Sequence, residues 1–158
     1  MVERYLPPSD FLRAAIIEEV SFGDHEFGQD NLIRLIAMTQ DRETANRDWA
    51  VLLLSQLQSD RSDVREALIS AASDESPFVR AEAILGLAQV DRSTALPLVL
   101  RELKGNLVSM PLLEAAIIVA DLSLVDDLLA FSEPSDHPWL DEMVADAISA
   151  CRSAASPS

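Results

Sequence analysis

The feature that most constrains the fold of this chain is a residue pattern that recurs about every 33 positions. Residues 74–103 read DESPFVRAEAILGLAQVDRSTALPLVLREL. A shift of 33 positions aligns the preceding segment with this one through six identical pairs. The pairs are Asp41 and Asp74, Arg47 and Arg80, Ala50 and Ala83, Leu52 and Leu85, Leu54 and Leu87, and Gln56 and Gln89. A period in the low thirties is typical of helical solenoids, because each unit buries its apolar faces only against its neighbours.

Each unit reads as two helices joined by a tight turn. Ser76 followed by Pro77 predicts a helix start, because serine can cap a free backbone N–H and proline fits the first helical position. Apolar residues then recur at three- and four-residue spacing as far as Val90, which predicts an amphipathic helix. A polar turn separates this helix from a second apolar stripe, which runs from Leu96 to Leu103. The unit is therefore an antiparallel helical hairpin.

The motif Asp-x5-Arg-x2-Ala-x-Leu-x-Leu occurs at 41–54 and again at 74–87. With FVRAEAILGLA and STALPLVLREL, it resembles the HEAT-repeat superfamily, and more narrowly the small bacterial proteins built of HEAT-like repeats, over roughly residues 29–131. The resemblance implies an all-α fold, a right-handed α-α superhelix of antiparallel helix pairs, with first helices on the convex face and second helices on the concave face. It also implies that the motif aspartates and arginines lock successive hairpins. The third unit departs from the pattern, since Leu112 replaces the arginine.

We expect a single domain over residues 1–152. Its predicted parts are an N-terminal cap and partial repeat (1–40, helices at 10–20 and 30–39 around a loop at 21–29), three repeats (41–73, 74–104 and 105–133), a C-terminal cap helix (134–152, helical from about 138) and a disordered tail (153–158). The residues are 49% hydrophobic but only 5% aromatic, which suits helices packed through Leu, Ala, Ile and Val. The single cysteine, Cys151, excludes an internal disulfide, and we predict that it packs as a small apolar residue.

The charge of the chain indicates which partners it can bind. Twelve basic residues against 27 acidic ones give a net charge of −15, and residues 105–151 contain nine acids and no lysine or arginine. Nucleic-acid binding is not expected, because it requires a basic surface. A protein with a basic surface is the expected partner. The apolar runs are too short to span a membrane and the first twenty residues carry too many charges for a signal peptide, so we expect a cytoplasmic location.

No sequence motif indicates catalysis, a cofactor or a metal. The triplet Asp24-His25-Glu26 reads as a surface loop, because adjacent residues point in different directions and no second histidine lies near. His137 precedes Pro138 and reads as a cap or turn residue. We therefore expect no enzymatic activity, no cofactor and no metal.

The candidate partner-binding residues are two tryptophans and a set of acids. Trp49 occupies the repeat position of Glu82 and Glu114; either it packs under the N-terminal cap or it is an exposed aromatic anchor, and the first interpretation is favoured. Trp139 poses the same question among nearby acids. The acids are assigned to the concave face or to the acidic C-terminal end. The full set is Trp49, Asp63, Glu66, Glu102, Asp126, Asp127, Trp139, Asp141 and Glu142.

Three functions remain open from the sequence, and the oligomeric state is not predicted. The first is a non-catalytic protein-binding module or adaptor for a basic partner. The second is an immunity or inhibitor protein that neutralises a basic enzyme. The third is a lyase or ligand-binding protein, as the resemblance to HEAT-like bilin lyases and DNA glycosylases suggests; the glycosylase version would need a basic concave cleft, which this chain lacks.

Overall fold

The computed structural model describes residues 5–23 and 25–154, and it is all-α over these residues. The helices are α1 (Asp10–Ile16), α2 (Glu26–Met38), α3 (Thr44–Gln56), α4 (Ser62–Ala71), α5 (Pro77–Val90), α6 (Arg92–Leu103), α7 (Met110–Val119), α8 (Val125–Leu129) and α9 (Pro138–Ala154), with a 3-10 turn at Leu122–Leu124 before α8. Successive helices pair as hairpins and the pairs stack along the chain. The predicted all-α solenoid is confirmed.

Several helix ends follow the sequence signals. Ser9 precedes α1, and its Oγ accepts the backbone N–H of Leu12 at 3.3 Å. Ser76 precedes α5, and Pro77 occupies the first helical position, as predicted. Cys151 on α9 is fully buried, with its Sγ 3.9 Å from the carbonyl oxygen of Ala116 on α7. The apolar role predicted for this cysteine is confirmed.

Other boundaries differ from the prediction. α1 stops at Ile16 rather than near residue 20, and Glu18 just after it has a φ of 62°. α2 begins at Glu26, inside the predicted loop, because the Nδ1 atom of His25 accepts the backbone N–H of Gly28 at 3.1 Å and caps the helix. α9 continues to Ala154, two residues into the predicted tail. Asp24 in the predicted loop and residues 155–158 of the predicted tail lie outside the described residues.

The helices form two layers around one core. α3, α5, α7 and α9 pack closely side by side, whereas α4, α6 and α8 contact one another little and pack mainly onto the first layer. Helices on the inside of a curved array lie closer together than those on the outside. α3, α5, α7 and α9 are therefore the inner layer and line the concave face. The expectation that the second helix of each unit lines that face is wrong, because the helix that follows the Asp turn is the inner one.

The central helix α5 is buried around most of its circumference. It packs between α3 and α7 on its own layer and against α4 and α6 on the other. The predicted amphipathic stripe is therefore too narrow, since Ile84 and Ala88 are buried as fully as Leu87. A Cβ on Gly86 would lie 3.0 Å from Ser55 Oγ, so this glycine permits the close approach of α3. On the concave side, α5 presents Phe78, Glu82 and Gln89 to the surface.

The two arginines of the repeat motif each join their own turn to another part of the solenoid. Arg47 donates to the carbonyl oxygen of Asp41 in its own turn at 3.1 Å and forms an ion pair with Asp74 of the next turn at 2.8 Å. Arg80 likewise donates to the carbonyl oxygen of Asp74 in its own turn at 2.9 Å, but its ion pair, at 2.8 Å, is with Glu102 on α6 of the same repeat. The lock between successive hairpins that the sequence resemblance implies is therefore present at Arg47, whereas Arg80 joins the two helices of its own hairpin.

Candidate functional site

Five of the predicted partner-binding residues lie on the outer layer and not on the concave face. They are Asp63 and Glu66 on α4, Glu102 on α6, and Asp126 and Asp127 on α8. Three of them form ion pairs: Asp63 with Arg61 at 3.0 Å, Glu102 with Arg80 at 2.8 Å, and Asp127 with Lys104 at 3.3 Å. These pairs neutralise the three carboxylates locally. The other two acids of this set, Glu66 and Asp126, are exposed.

The acids at the start of α9 divide between structure and surface. Asp141 accepts hydrogen bonds from the backbone N–H of Ser135 at 2.9 Å and from its hydroxyl at 2.7 Å. These bonds lower the pKa of Asp141 and hold the loop before α9 against the helix. The carbonyl oxygen of His137 accepts the N–H of Leu140 at 2.9 Å, which confirms the predicted cap or turn role of this histidine. Glu142 is exposed.

The two tryptophans have different environments. Trp49 is partly buried and packs against the hydrophobic core, and its indole Nε1 has no hydrogen-bond partner among the described residues. This supports the packing interpretation over the exposed anchor. Trp139 is 50% exposed, with its ring 6.1 Å from that of His137. Trp139 is therefore the tryptophan that a partner can reach.

The concave face carries a groove of about 530 Å³ between the inner helices. Asp48 of α3 and Glu82 of α5 contribute its carboxylates. Its other lining residues are mostly apolar and come from α5, the segment before α7, and the starts of α7 and α9. They are Phe78, Leu107, Val108, Ser109, Met110, Pro111, His137, Trp139 and Leu140. Three large apolar side chains of this groove, Phe78, Met110 and Trp139, are between 46% and 58% exposed, so its walls are both apolar and accessible.

A second groove of about 310 Å³ adjoins the first. The two grooves share Glu82, Met110 and Pro111, and the second one ends near Gln89 and Glu114. Glu82 therefore lies where the two grooves meet. We call the two together the concave groove.

The carboxylate of Glu82 is in an unfavourable electrostatic environment. Burial raises its pKa, and repulsion from Asp48 and Glu114 raises it further, to about 7. Its Oε2 atom is buried and has no hydrogen-bond partner among the described residues. Burial also raises the pKa of Asp48, with Asp74 as a second cause. The concave groove therefore favours protonated or cation-paired carboxylates.

No group of three or more His, Cys, Asp and Glu side chains in residues 5–23 and 25–154 is arranged to hold a metal ion. None of the helices in that part of the chain combines the length and apolarity that crossing a bilayer requires.

The stacked hairpins and the arginines of the repeat motif agree with a family comparison. Residues 32–107 match the family model for HEAT repeats. Over these residues the chain is therefore similar to HEAT repeats. The match covers the motif-bearing helices α3 and α5 and is shorter than the range of about 29–131 that the sequence pattern predicted.

Curated relatives and a solved structure extend this finding. The chain is 32% identical over 91 residues to protein YibA of Escherichia coli strain K12 and equally to YibA of strain O157:H7. This match covers 58% of the chain and 32% of YibA, so the chain spans about a third of the length of these relatives. The X-ray structure of E. coli YibA superposes on 90% of this chain and 54% of its own, with a TM-score of 0.61 and 24% identity. The shared fold thus extends beyond residues 32–107.

Proposed function

We propose that this chain is a non-catalytic protein-binding module whose concave groove holds a partner with a basic surface. The carrying observation is the combination of uncompensated carboxylates with accessible apolar side chains in one groove. Asp48 and Glu82 supply the charge, and Phe78, Met110 and Trp139 supply the apolar contacts. Exposed aromatic and methionine side chains around a concavity are typical of protein-binding sites.

The shape of the groove also favours a protein segment as the ligand. A partner segment can extend from the larger groove past Glu82 into the smaller one, because the two share three lining residues. The net charge of −15 attracts a basic partner over distances comparable with the Debye length, about 8–10 Å at physiological salt. Association should therefore slow as salt is added, while the apolar contacts hold the complex after docking.

Site-specific cross-linking in cells tests this proposal. A photoreactive benzoylphenylalanine replaces Met110 in the groove in one variant and exposed Glu66 on α4 in a matched control. We expect a basic protein to be cross-linked from position 110 and not from position 66. The cross-linked protein is then purified, and its affinity should fall as the salt concentration rises. Equal cross-linking from both positions, or capture of no protein from position 110, would contradict a partner in the groove.

A further inference from the structure

We propose that the concave groove recognises an arginine side chain of the partner protein, with the guanidinium group between Asp48 and Glu82. Apolar residues that flank this arginine in the partner would lie against Phe78, Met110 and Trp139. The inference rests on the proposed function and specifies the chemistry of its central contact.

The charges around Glu82 call for a cation. The groups that perturb Glu82 electrostatically are Asp48 on the α3 side and Glu114 on the α7 side, and both are acids. Charged carboxylates in a partly buried site are stable only when paired. A cation placed between Asp48 and Glu82 would form charge-assisted hydrogen bonds with both. It would also remove the repulsion between them.

The groove walls favour arginine over lysine. Phe78 and Glu82 are four residues apart on α5 and so lie on the same face of the helix, and Trp139 lines the same groove. A guanidinium group is planar and weakly hydrated and carries five N–H donors, so it can bond two carboxylates from different helices while it stacks on an aromatic ring. An ammonium group is compact and strongly hydrated, and its desolvation here would be less well compensated.

The occupant is a protein side chain and not a free ion, because the groove offers a ligand apolar surface as well as negative charge. The acids are not arranged as a metal site within the described residues, whereas Phe78 and Met110 expose 58% and 46% of their surface beside them. A small ion would leave these apolar side chains in water. An arginine between two apolar residues would cover them.

NMR titration of the isotope-labelled full chain tests the inference with the peptide acetyl-Leu-Arg-Leu-amide. The chain has only two tryptophans. Trp139 lines the groove and Trp49 is adjacent in sequence to Asp48, so their indole N–H signals report binding at this site. We expect a saturable shift of the Trp139 signal. The peptide with lysine in place of arginine should bind at least about threefold more weakly. The peptide with uncharged citrulline should produce no saturable shift at a peptide concentration of about 10 mM, which is at the weak limit of measurable affinity.

A charge-matched pair of variants locates the site. The double variant Asp48→Asn/Glu82→Gln removes both groove carboxylates and should weaken arginine-peptide binding at least about tenfold, which corresponds to about 1.4 kcal/mol. The control Glu66→Gln/Asp126→Asn removes the same charge from the outer layer, where both residues are exposed. Its affinity should stay within about twofold of the parent.

The pH dependence gives a second readout. Protonation of Glu82, whose pKa is about 7, should weaken arginine-peptide binding about tenfold from pH 8 to pH 6, because the ionised fraction falls by about that factor. The charged groups that face Glu82 are Asp48 and Glu114. His137 lines the same groove, so it is replaced in a control. The pH effect should persist in His137→Gln and be lost in Glu82→Gln.

The outcomes separate this inference from the proposed function. Equal binding of the arginine and citrulline peptides, equal affinity of the two double variants, or no saturable shift with the arginine peptide would each overturn the arginine contact. If a protein is nevertheless cross-linked from position 110 and not from position 66, the groove remains a protein-binding site with a different contact. If the peptide binds as expected and no protein is cross-linked, the arginine contact stands and the proposed partner protein does not.

Discussion

The substitution Glu82→Gln should stabilise the protein at alkaline pH and have little effect at acidic pH. In the folded chain the pKa of Glu82 is raised from 4.5 to about 7 by burial and by repulsion from Asp48 and Glu114. Below pH 4.5 the side chain is protonated in both the folded and the unfolded state. As the pH rises towards 7, the unfolded state releases the proton more readily, so the free energy of unfolding falls. Well above pH 7, where the carboxyl is ionised in both states, the loss is complete and constant.

The magnitude follows from the size of this shift. A rise of about 2.5 pKa units is equivalent to about 3 kcal/mol at most, at 1.36 kcal/mol per unit. Glu82 is only partly buried, and solvent screens such interactions. We therefore expect the variant to gain about 1–2.5 kcal/mol over the parent between pH 5 and pH 8. At about 2–4 °C per kcal/mol for a chain of this size, the difference in Tm should widen by several degrees.

Urea unfolding followed by circular dichroism at pH 5, 6, 7 and 8 measures the effect. Glu66→Gln is the matched control, because it makes the same chemical change at an exposed position on α4. Its free energy of unfolding should differ from that of the parent by a nearly constant amount across this range. A constant difference for Glu82→Gln, or a loss of stability at pH 8, would show that the ionised carboxylate is well compensated in the folded chain and would refute the electrostatic argument.

Three further substitutions test the packing of the repeats by the same unfolding assay. Leu87→Ala should cost about 2–5 kcal/mol, because this fully buried side chain would leave a cavity between repeats; an unchanged midpoint would contradict its place in the core. Arg47→Ala should cost about 3–5 kcal/mol, because it leaves the buried carboxylate of Asp74 without its ion-pair partner. Lys104→Ala removes an exposed ion pair and should cost less than about 1 kcal/mol. Similar losses for the two variants would contradict the inter-repeat lock. Gly86→Ala should cost about 1–3 kcal/mol, because the added methyl group overpacks against Ser55. This cost outweighs the gain in helix propensity of about 1 kcal/mol. Adding Ser55→Gly to this variant should recover part of the loss.

The sequence predicts the fold well because a solenoid depends on local patterns. The recurring Asp–Arg spacing locates the repeats, and Ser9 and Ser76 mark helix starts that the structure contains. The start of α2 could not be predicted in the same way, because His25 is not among the usual capping residues. The concave side could not be assigned either. A period shows that units repeat, but which helix of each pair lies inside depends on the packing distances between units.

The candidate site was only partly predictable. Composition indicates an acidic surface, and the acids that the sequence singles out are mostly on the outer layer. Two of them, Glu102 and Asp127, are paired with Arg80 and Lys104, which are more than twenty positions away in the chain. Such long-range pairs are not visible in a local pattern. The partial burial of Glu82 is also not visible in the spacing of apolar residues along α5, because the burial of that helix on nearly all sides depends on its neighbours.

A signal for the site was nevertheless present in the repeat alignment. Glu82 and Glu114 share a repeat position with Trp49, and the shift of 33 places Asp48 on Ala81, which is buried. The repeat architecture therefore does not require a carboxylate at either position. Placing Asp48 beside Glu82 raises the pKa of Glu82 and opposes folding at neutral pH. Residues that destabilise a fold and have no structural partner are characteristic of binding sites, where the missing compensation comes from the ligand. The concave groove meets that description. The outer acids do not, because Asp63, Glu102 and Asp127 are paired within the chain, and Glu66 and Asp126 are exposed to solvent.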